Sequence, residues 1–150
     1  MSERVNLSKQ DPAAYQALLA MNKVAGESAA AAGLDPLLVE LVKIRASQIN
    51  GCSFCLRMHT RDAIKHGETA DRLSVVPAWR ESEYFSSEER AALELAESVT
   101  LVADGQVPDE VYERVAAALS PAQISAVGWL TMAINVFNRV AVTSRYHVGP

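Results

Sequence analysis

The spacing of apolar residues predicts a chain built from helices alone. Apolar positions recur three and four residues apart from end to end, whereas the period-two alternation of half-buried strands is nearly absent. Asp11-Pro12 is a typical helix start, and the spacing predicts a helix over 12–32 that ends before Gly33. The same pair returns at Asp35-Pro36 and predicts a second helix that stops at Asn50-Gly51. The fold class that follows is all-α, a helical bundle.

The rest of the chain carries start and stop signals for further helices. Gly67 is typical of a left-handed helix terminator, and Ser86 with Glu89 fits a capping box. No Gly- or Ser-rich linker and no internal repeat divides the sequence, so we expect one domain over 1–150. The predicted helices cover 52–66, 69–76, 87–102, 108–119 and a long amphipathic stretch from Ser120-Pro121 onward, with an irregular segment over 77–85.

Composition and charge exclude several classes of protein. The chain has 150 residues, 49% hydrophobic and 21% charged, which is enough apolar material for a packed core without staples or metal. Lys and Arg number 14 against 18 Asp and Glu, and this balance argues against nucleic acid or an anionic membrane as partner. Residues 1–12 lack the apolar core of a secretory signal, and no long apolar run suggests a membrane span. We therefore expect a cytoplasmic protein.

The two cysteines of the chain, Cys52 and Cys55, are the first sign of chemistry. A bridge across so short a loop restrains the unfolded chain very little, so redox chemistry or metal binding is the better explanation in a cytosolic protein. Residues three apart on a helix have Cα atoms roughly 5–6 Å apart, within reach of a disulfide that opens and closes without refolding. A place in the first helical turn is expected to favour thiolate at both sulfurs.

An imidazole and a carboxylate fall in register with the thiols. His59 lies four residues after Cys55 on the same helical stripe and could move a proton to or from that sulfur. If the Asn50-Gly51 turn makes the two helices antiparallel, Glu40 stands about as far from the turn as His59 and could orient the ring. Asp62 shares the stripe, but we interpret it as a plain surface carboxylate and leave it outside the site.

Glu40 followed by Cys52-x-x-Cys55-x-x-x-His59 resembles the signature of the AhpD-like alkylhydroperoxidase branch of the carboxymuconolactone decarboxylase family. The flanking strings over 47–52 and 88–97 support the resemblance, and 135–139 does so more loosely. The resemblance implies an all-helical homo-oligomer, a trimer or hexamer, that needs no bound cofactor. Its dithiol would reduce hydroperoxides and take electrons from an external dithiol or exchange them with a peroxiredoxin partner.

The resemblance also implies a role for each site residue. Cys55 would attack the peroxide, Cys52 would resolve the product, and Glu40 with His59 would relay protons. Thioredoxin-like logic favours Cys52 as the attacking sulfur instead, since it lies nearer the helix terminus. The sequence departs from the best-known members at Phe54, where those relatives carry a second histidine; this departure bears on peroxidase efficiency more than on dithiol redox activity.

Other interpretations of the same residues stay open at this point. Glu40, Lys43 and Ser47 could form a solvated helix face. The dithiol could serve a non-catalytic redox-responsive or scaffold protein. Zinc is disfavoured, because the next histidine, His66, lies about 10.5 Å further along a helix, too far to join His59 on one ion. We also expect Asn135 and Asn138 to bond across an interface or face water, and the large aromatic residues to serve core or subunit contacts.

Overall fold

Eight α-helices and one 3-10 helix make up the computed structural model, which describes residues 3–150. No strand occurs within those residues, and the predicted all-α class is confirmed. The helices are α1 (Leu7–Gln10), α2 (Pro12–Ala31), α3 (Pro36–Asn50), α4 (Ser53–Lys65), α5 (Ala70–Ser74), the 3-10 helix (Val76–Glu81), α6 (Ser87–Thr100), α7 (Asp109–Ala118) and α8 (Pro121–Ser144).

The helix starts at Asp35 and Ser86 follow the predicted capping signals, whereas the start at Asp11 does not. The Asp35 carboxylate accepts from the Leu37 N–H at 2.7 Å, and Ser86 and Glu89 form the expected capping box. Asp11 also precedes a helical proline, but its side chain makes no capping bond, so the start of α2 rests on Pro12 alone. Helix α1 was not predicted; its single turn is capped by the Asn6 side chain. The segment expected to be irregular contains the 3-10 helix.

Helix α8 lies at the centre of the bundle and packs against α2, α3 and α6. The largest apolar core joins α2, α3, α6, α7 and α8, and a second core surrounds the ring of Trp79. A third, smaller cluster contains both cysteines with Ile134 and Ala141 of α8. The thiols therefore lie in the apolar interior, against the central helix.

Two polar networks cross this apolar interior. The fully buried Asn138 amide donates to Ser47 Oγ at 3.0 Å and accepts from Asn50 at 2.9 Å, so the expectation that it bonds across an interface or faces water is wrong. Asn135 likewise accepts from Asn50 within the chain, at 2.9 Å. Helix α3 needs partners for polar groups at its end, and α8 supplies them. The solvated-face interpretation of Glu40 and Ser47 is also wrong, because both residues are buried.

The second network centres on Glu97. Its carboxylate accepts from the Trp79 indole at 2.8 Å, from Arg45 at 2.8 Å and from Arg80 at 2.6 Å. Burial opposes its ionisation, but these hydrogen bonds outweigh burial and the pKa of Glu97 lies below its ordinary value. The network ties the 3-10 helix and α3 to α6.

A clasp between the two ends of the described chain completes the fold; it consists of Leu7 and Ser8 with Ser144 and Tyr146. The Leu7 N–H donates to Ser144 Oγ at 3.0 Å, and the hydroxyls of Ser8 and Tyr146 are hydrogen-bonded.

Among residues 3–150, no single helix has the length and apolarity needed to cross a membrane. Helices α7 and α8 reach that length and apolarity only as a pair, which is bent by 119°.

Candidate active site

Helices α3 and α4 bring two of the four predicted site residues into direct contact. His59 Nδ1 lies 2.9 Å from Glu40 Oε2, and the two side chains are only 12% and 10% exposed. Gly51, at φ 65°, provides the left-handed turn between the helices, where a side chain would be strained. Since Glu40 and His59 lie about equally far from this turn, their contact shows that α3 and α4 run antiparallel.

The Glu40 contact determines what His59 can do. An ionised carboxylate only accepts hydrogen bonds, so it favours the tautomer in which Nδ1–H is the donor. Nε2 then carries the lone pair and can accept a proton. The pair is therefore arranged as a base whose positive charge, once formed, lies against a carboxylate.

The two cysteines occupy the start of α4 as reduced, buried thiols. Cys52 is the N-cap residue, and its sulfur accepts from the Cys55 N–H at 3.4 Å. The sulfur of Cys52 is thus the N-cap acceptor, a position that a Ser, Thr or Asp side-chain oxygen occupies in most helices. Cys52 is 1% exposed and Cys55 is 2% exposed.

Burial governs the state of the Cys55 thiol. Burial first, and the neighbouring Cys52 side chain second, raise the pKa of Cys55 to about 12, against smaller lowering contributions from hydrogen bonds with Asn138 and with the backbone. The expectation of thiolate at both sulfurs is therefore wrong for Cys55 in the reduced protein. Desolvation outweighs the helix terminus, so Cys55 needs a base when it reacts.

Cys55 and His59 share one cavity of about 190 Å³, here called the cysteine-histidine cavity. Its walls come from α2, α3, α4, α8 and the segment after α8. Most of the lining is apolar or aromatic. It includes Phe54, the position at which the sequence departs from the best-known members of the family it resembles. Lining residues that the sequence did not single out for the site are Tyr15, Leu19, Lys43, Met58, Phe137 and Tyr146. Cys52 is not among the residues that line this cavity.

Asp62 lies closer to the site than expected. Ligand atoms of Glu40, His59 and Asp62 all fall within 4.8 Å of one another, a grouping that could hold a cation. Lys65 provides a competing partner, with its ammonium 3.7 Å from Asp62. In the sequence, the placement of positions 59 and 62 on one helical stripe indicated that Asp62 lies near His59. No comparable signal pointed to Tyr15 or Tyr146, which reach the cavity from opposite ends of the chain.

Comparisons with known proteins show the family of this chain. Residues 12–98 match the sequence profile of the carboxymuconolactone decarboxylase family. The chain is 39% identical to the uncharacterized protein YdfG of Bacillus subtilis over 142 residues, 95% of this chain and 94% of YdfG. It is 38% identical over 84 residues, 56% of this chain and 46% of the relative, to the uncharacterized protein YnjA of Escherichia coli.

A crystal structure supports the same assignment. It is that of an Agrobacterium tumefaciens protein of unknown function, described as a candidate antioxidant defence protein AhpD. The fold matches with a TM-score of 0.90 and 33% identity over 99% of both chains. With the sequence profile covering more than half of the chain and this fold matching throughout, the chain belongs to the carboxymuconolactone decarboxylase family and is an AhpD-like member of it.

Proposed function

We propose that the protein is a thiol-dependent peroxidase that reduces hydroperoxides at Cys55 and cycles through a Cys52–Cys55 disulfide. The observation that carries the proposal is the shared cavity, which Cys55 and His59 both line, while the Glu40 carboxylate is hydrogen-bonded to Nδ1 of the His59 ring. An antioxidant role agrees with the family and with the description of the Agrobacterium protein.

The first step makes a nucleophile from a thiol that is protonated at rest. His59 Nε2 takes the Cys55 proton, and the Glu40 carboxylate stabilises the charge that the ring acquires. The Cys55 sulfur attacks the terminal oxygen of the hydroperoxide, and the O–O bond breaks. Sulfur is oxidised to sulfenic acid, and the alcohol leaves with the proton that the imidazolium returns.

The second step closes the disulfide. The Cys52 sulfur attacks the Cys55 sulfenic acid, an S–S bond forms and the hydroxyl leaves as water. One turn of helix separates the two residues, so closure needs no refolding. An external dithiol, or a peroxiredoxin partner acting as the electron exchanger, then returns the pair to thiols.

Cys55 is assigned as the attacking sulfur because it shares the cavity with His59, whereas Cys52 lies outside it. The aromatic ring of Phe54 leaves His59 as the one imidazole that residues 3–150 contribute to this cavity. The remaining walls suit the organic part of an alkyl hydroperoxide better than a strongly hydrated substrate.

Exchange of each sulfur separately tests the proposal. Cys55→Ser is expected to abolish consumption of cumene hydroperoxide in the presence of a dithiol, because no thiol then lines the cavity with His59. Cys52→Ser is the matched control: without added dithiol it is expected to consume one equivalent of hydroperoxide and to retain sulfenic acid on Cys55, which dimedone traps and mass spectrometry locates. Consumption by Cys55→Ser at the parent rate would contradict the assignment.

The raised pKa of Cys55 supports a second candidate function, a non-catalytic redox sensor or scaffold whose dithiol only senses oxidation. A sensor oxidises once and slowly, whereas an enzyme consumes many equivalents of peroxide per chain. Repeated turnover with excess dithiol therefore separates the two. Assembly into a trimer or hexamer and a cytoplasmic location remain predictions.

A further inference from the structure

The two cysteines line different openings of the protein. Cys55 lines the cysteine-histidine cavity, while Cys52 lines a separate cleft of about 480 Å³, here called the tail cleft. The tail cleft lies between the start of α4 and the segment that follows α8. Its lining includes Ser53, Arg145 and Val148. Neither cysteine lines both openings.

An aromatic pair forms the wall between the two openings. The rings of Phe54 and Tyr146 meet edge to face, with centroids 5.1 Å apart, and both residues line both openings. The segment that carries Tyr146 is held against α4 by the Arg57 guanidinium, which donates to the Gly149 carbonyl at 2.9 Å. The aromatic pair therefore forms a partition between the opening that Cys55 lines and the opening that Cys52 lines.

The chemistry of disulfide reduction depends on which sulfur is attacked. A thiolate attacks one sulfur in line with the S–S bond, and the other sulfur leaves on the far side. If Cys52 is attacked, Cys55 leaves beside His59, which can protonate it. This assistance matters because burial raises the pKa of Cys55 to about 12, which makes it a poor leaving group as a free thiolate.

Attack on Cys55 has no such assistance. The departing sulfur would be Cys52, and the tail cleft has no histidine in its lining. The tail cleft is the opening that Cys52 lines, so a reductant that attacks Cys52 is expected to approach from that cleft.

We infer that the tail cleft is the binding site of a small dithiol reductant, which attacks Cys52 while hydroperoxide reaches Cys55 through the opposite opening. This inference rests on the proposed disulfide cycle. The first thiol of the reductant loses its proton to solvent, and its thiolate forms a mixed disulfide with Cys52. Cys55 leaves as a thiol with a proton that His59 has taken up from solvent. The second thiol of the reductant then displaces Cys52, so two electrons pass from the dithiol to the protein and the reductant ends as a disulfide.

The test separates the two half-reactions. The Cys52–Cys55 disulfide is formed with diamide, and its reduction by dithiothreitol is followed by acid quenching, thiol alkylation and intact mass. Oxidation of the reduced protein by cumene hydroperoxide is followed in the same way. Because diamide forms the disulfide without peroxide, the reduction arm remains readable even if the peroxidase proposal fails.

Tryptophan at each opening provides matched variants. Val148→Trp is expected to fill the tail cleft and slow reduction by about tenfold or more, with peroxide oxidation within about twofold of the parent. Met58→Trp, which narrows the cysteine-histidine cavity, is expected to do the reverse. Ser53→Trp at an exposed position of the cleft rim is a second blocking variant, and far-UV circular dichroism checks that all three fold.

The results then decide the inference. Selective slowing of reduction by Val148→Trp or Ser53→Trp supports it. Unchanged reduction in both cleft variants, or equal slowing of reduction by Met58→Trp, overturns it and places the reductant in the same opening as the peroxide. Failure of the parent protein to oxidise with peroxide, while diamide still forms the disulfide, counts against the proposed function alone.

Discussion

Replacing Glu40 by glutamine removes one charge from the site and little volume. The carbonyl of the new amide side chain can still accept from the His59 Nδ1–H, so the ring keeps its orientation, but the imidazolium formed during catalysis loses the carboxylate 2.9 Å away. Hydrogen bonds to charged groups contribute roughly 1.5–3 kcal/mol. Since the two side chains are only 10% and 12% exposed, solvent screens this interaction weakly.

The expected loss follows from that range. At about 1.4 kcal/mol per tenfold change, the Glu40→Gln variant should oxidise about 10- to 150-fold more slowly with cumene hydroperoxide in a single turnover. The assay is rapid quenching of the reduced protein with alkylation of the thiols that remain. Because the pair is nearly buried, the loss should persist in high salt, unlike that of a surface ion pair.

A double-mutant cycle with His59→Asn gives this prediction its control. If Glu40 acts only through the imidazole, Glu40→Gln should cost nothing further once His59 is absent. Oxidation by Glu40→Gln within twofold of the parent rate, or fully additive losses in the double variant, would refute the relay and leave Glu40 as a structural residue.

Three further predictions concern buried polar groups. Glu97→Gln should lower the free energy of unfolding by about 2–3 kcal/mol near neutral pH, measured by urea denaturation. Because folding lowers the pKa of Glu97, the stabilisation is fully present above the ordinary pKa of 4.5 and is lost as the pH falls. The unfolding free energies of parent and variant should therefore converge in acid. Alkylation of Cys55 by iodoacetamide, followed by peptide mapping, should keep rising with pH beyond 9, where an ordinary thiol levels off, because the pKa of Cys55 is raised to about 12; a plateau near 9 would contradict this. Asn138→Leu should destabilise the fold by about 2–3 kcal/mol in thermal or urea unfolding, because it leaves Ser47 and Asn50 without their buried partner.

Local signals predicted the parts of this fold that depend on neighbours in sequence. The pairing of Glu40 with His59 follows from two helices and one turn, because both residues lie at similar distances from Gly51. The helix starts at Asp35 and Ser86 are equally local, since the capping group and the capped N–H lie within three residues. Asp11 shows the limit: the same dipeptide starts a helix there without a side-chain cap.

Features that depend on packing were beyond the sequence. The spacing of the cysteines correctly predicts one helix turn, but the protonation state of Cys55 depends on the burial that α8 imposes. The role of Asn138 depends on a contact across 91 residues with Ser47. A sequence read helix by helix provides no signal for either, because desolvation and long-range hydrogen bonds arise only when the helices pack.

The clasp joins residues at opposite ends of the described chain, and it also holds the position of the Tyr146 ring. Helices α2 to α8 bury their apolar faces independently of these few bonds, each of which contributes on the order of 1 kcal/mol. The clasp can thus open by local unfolding, at a small fraction of the free energy of global unfolding. Hydrogen exchange at the Leu7 amide therefore reports how often the clasp opens while the bundle itself stays folded.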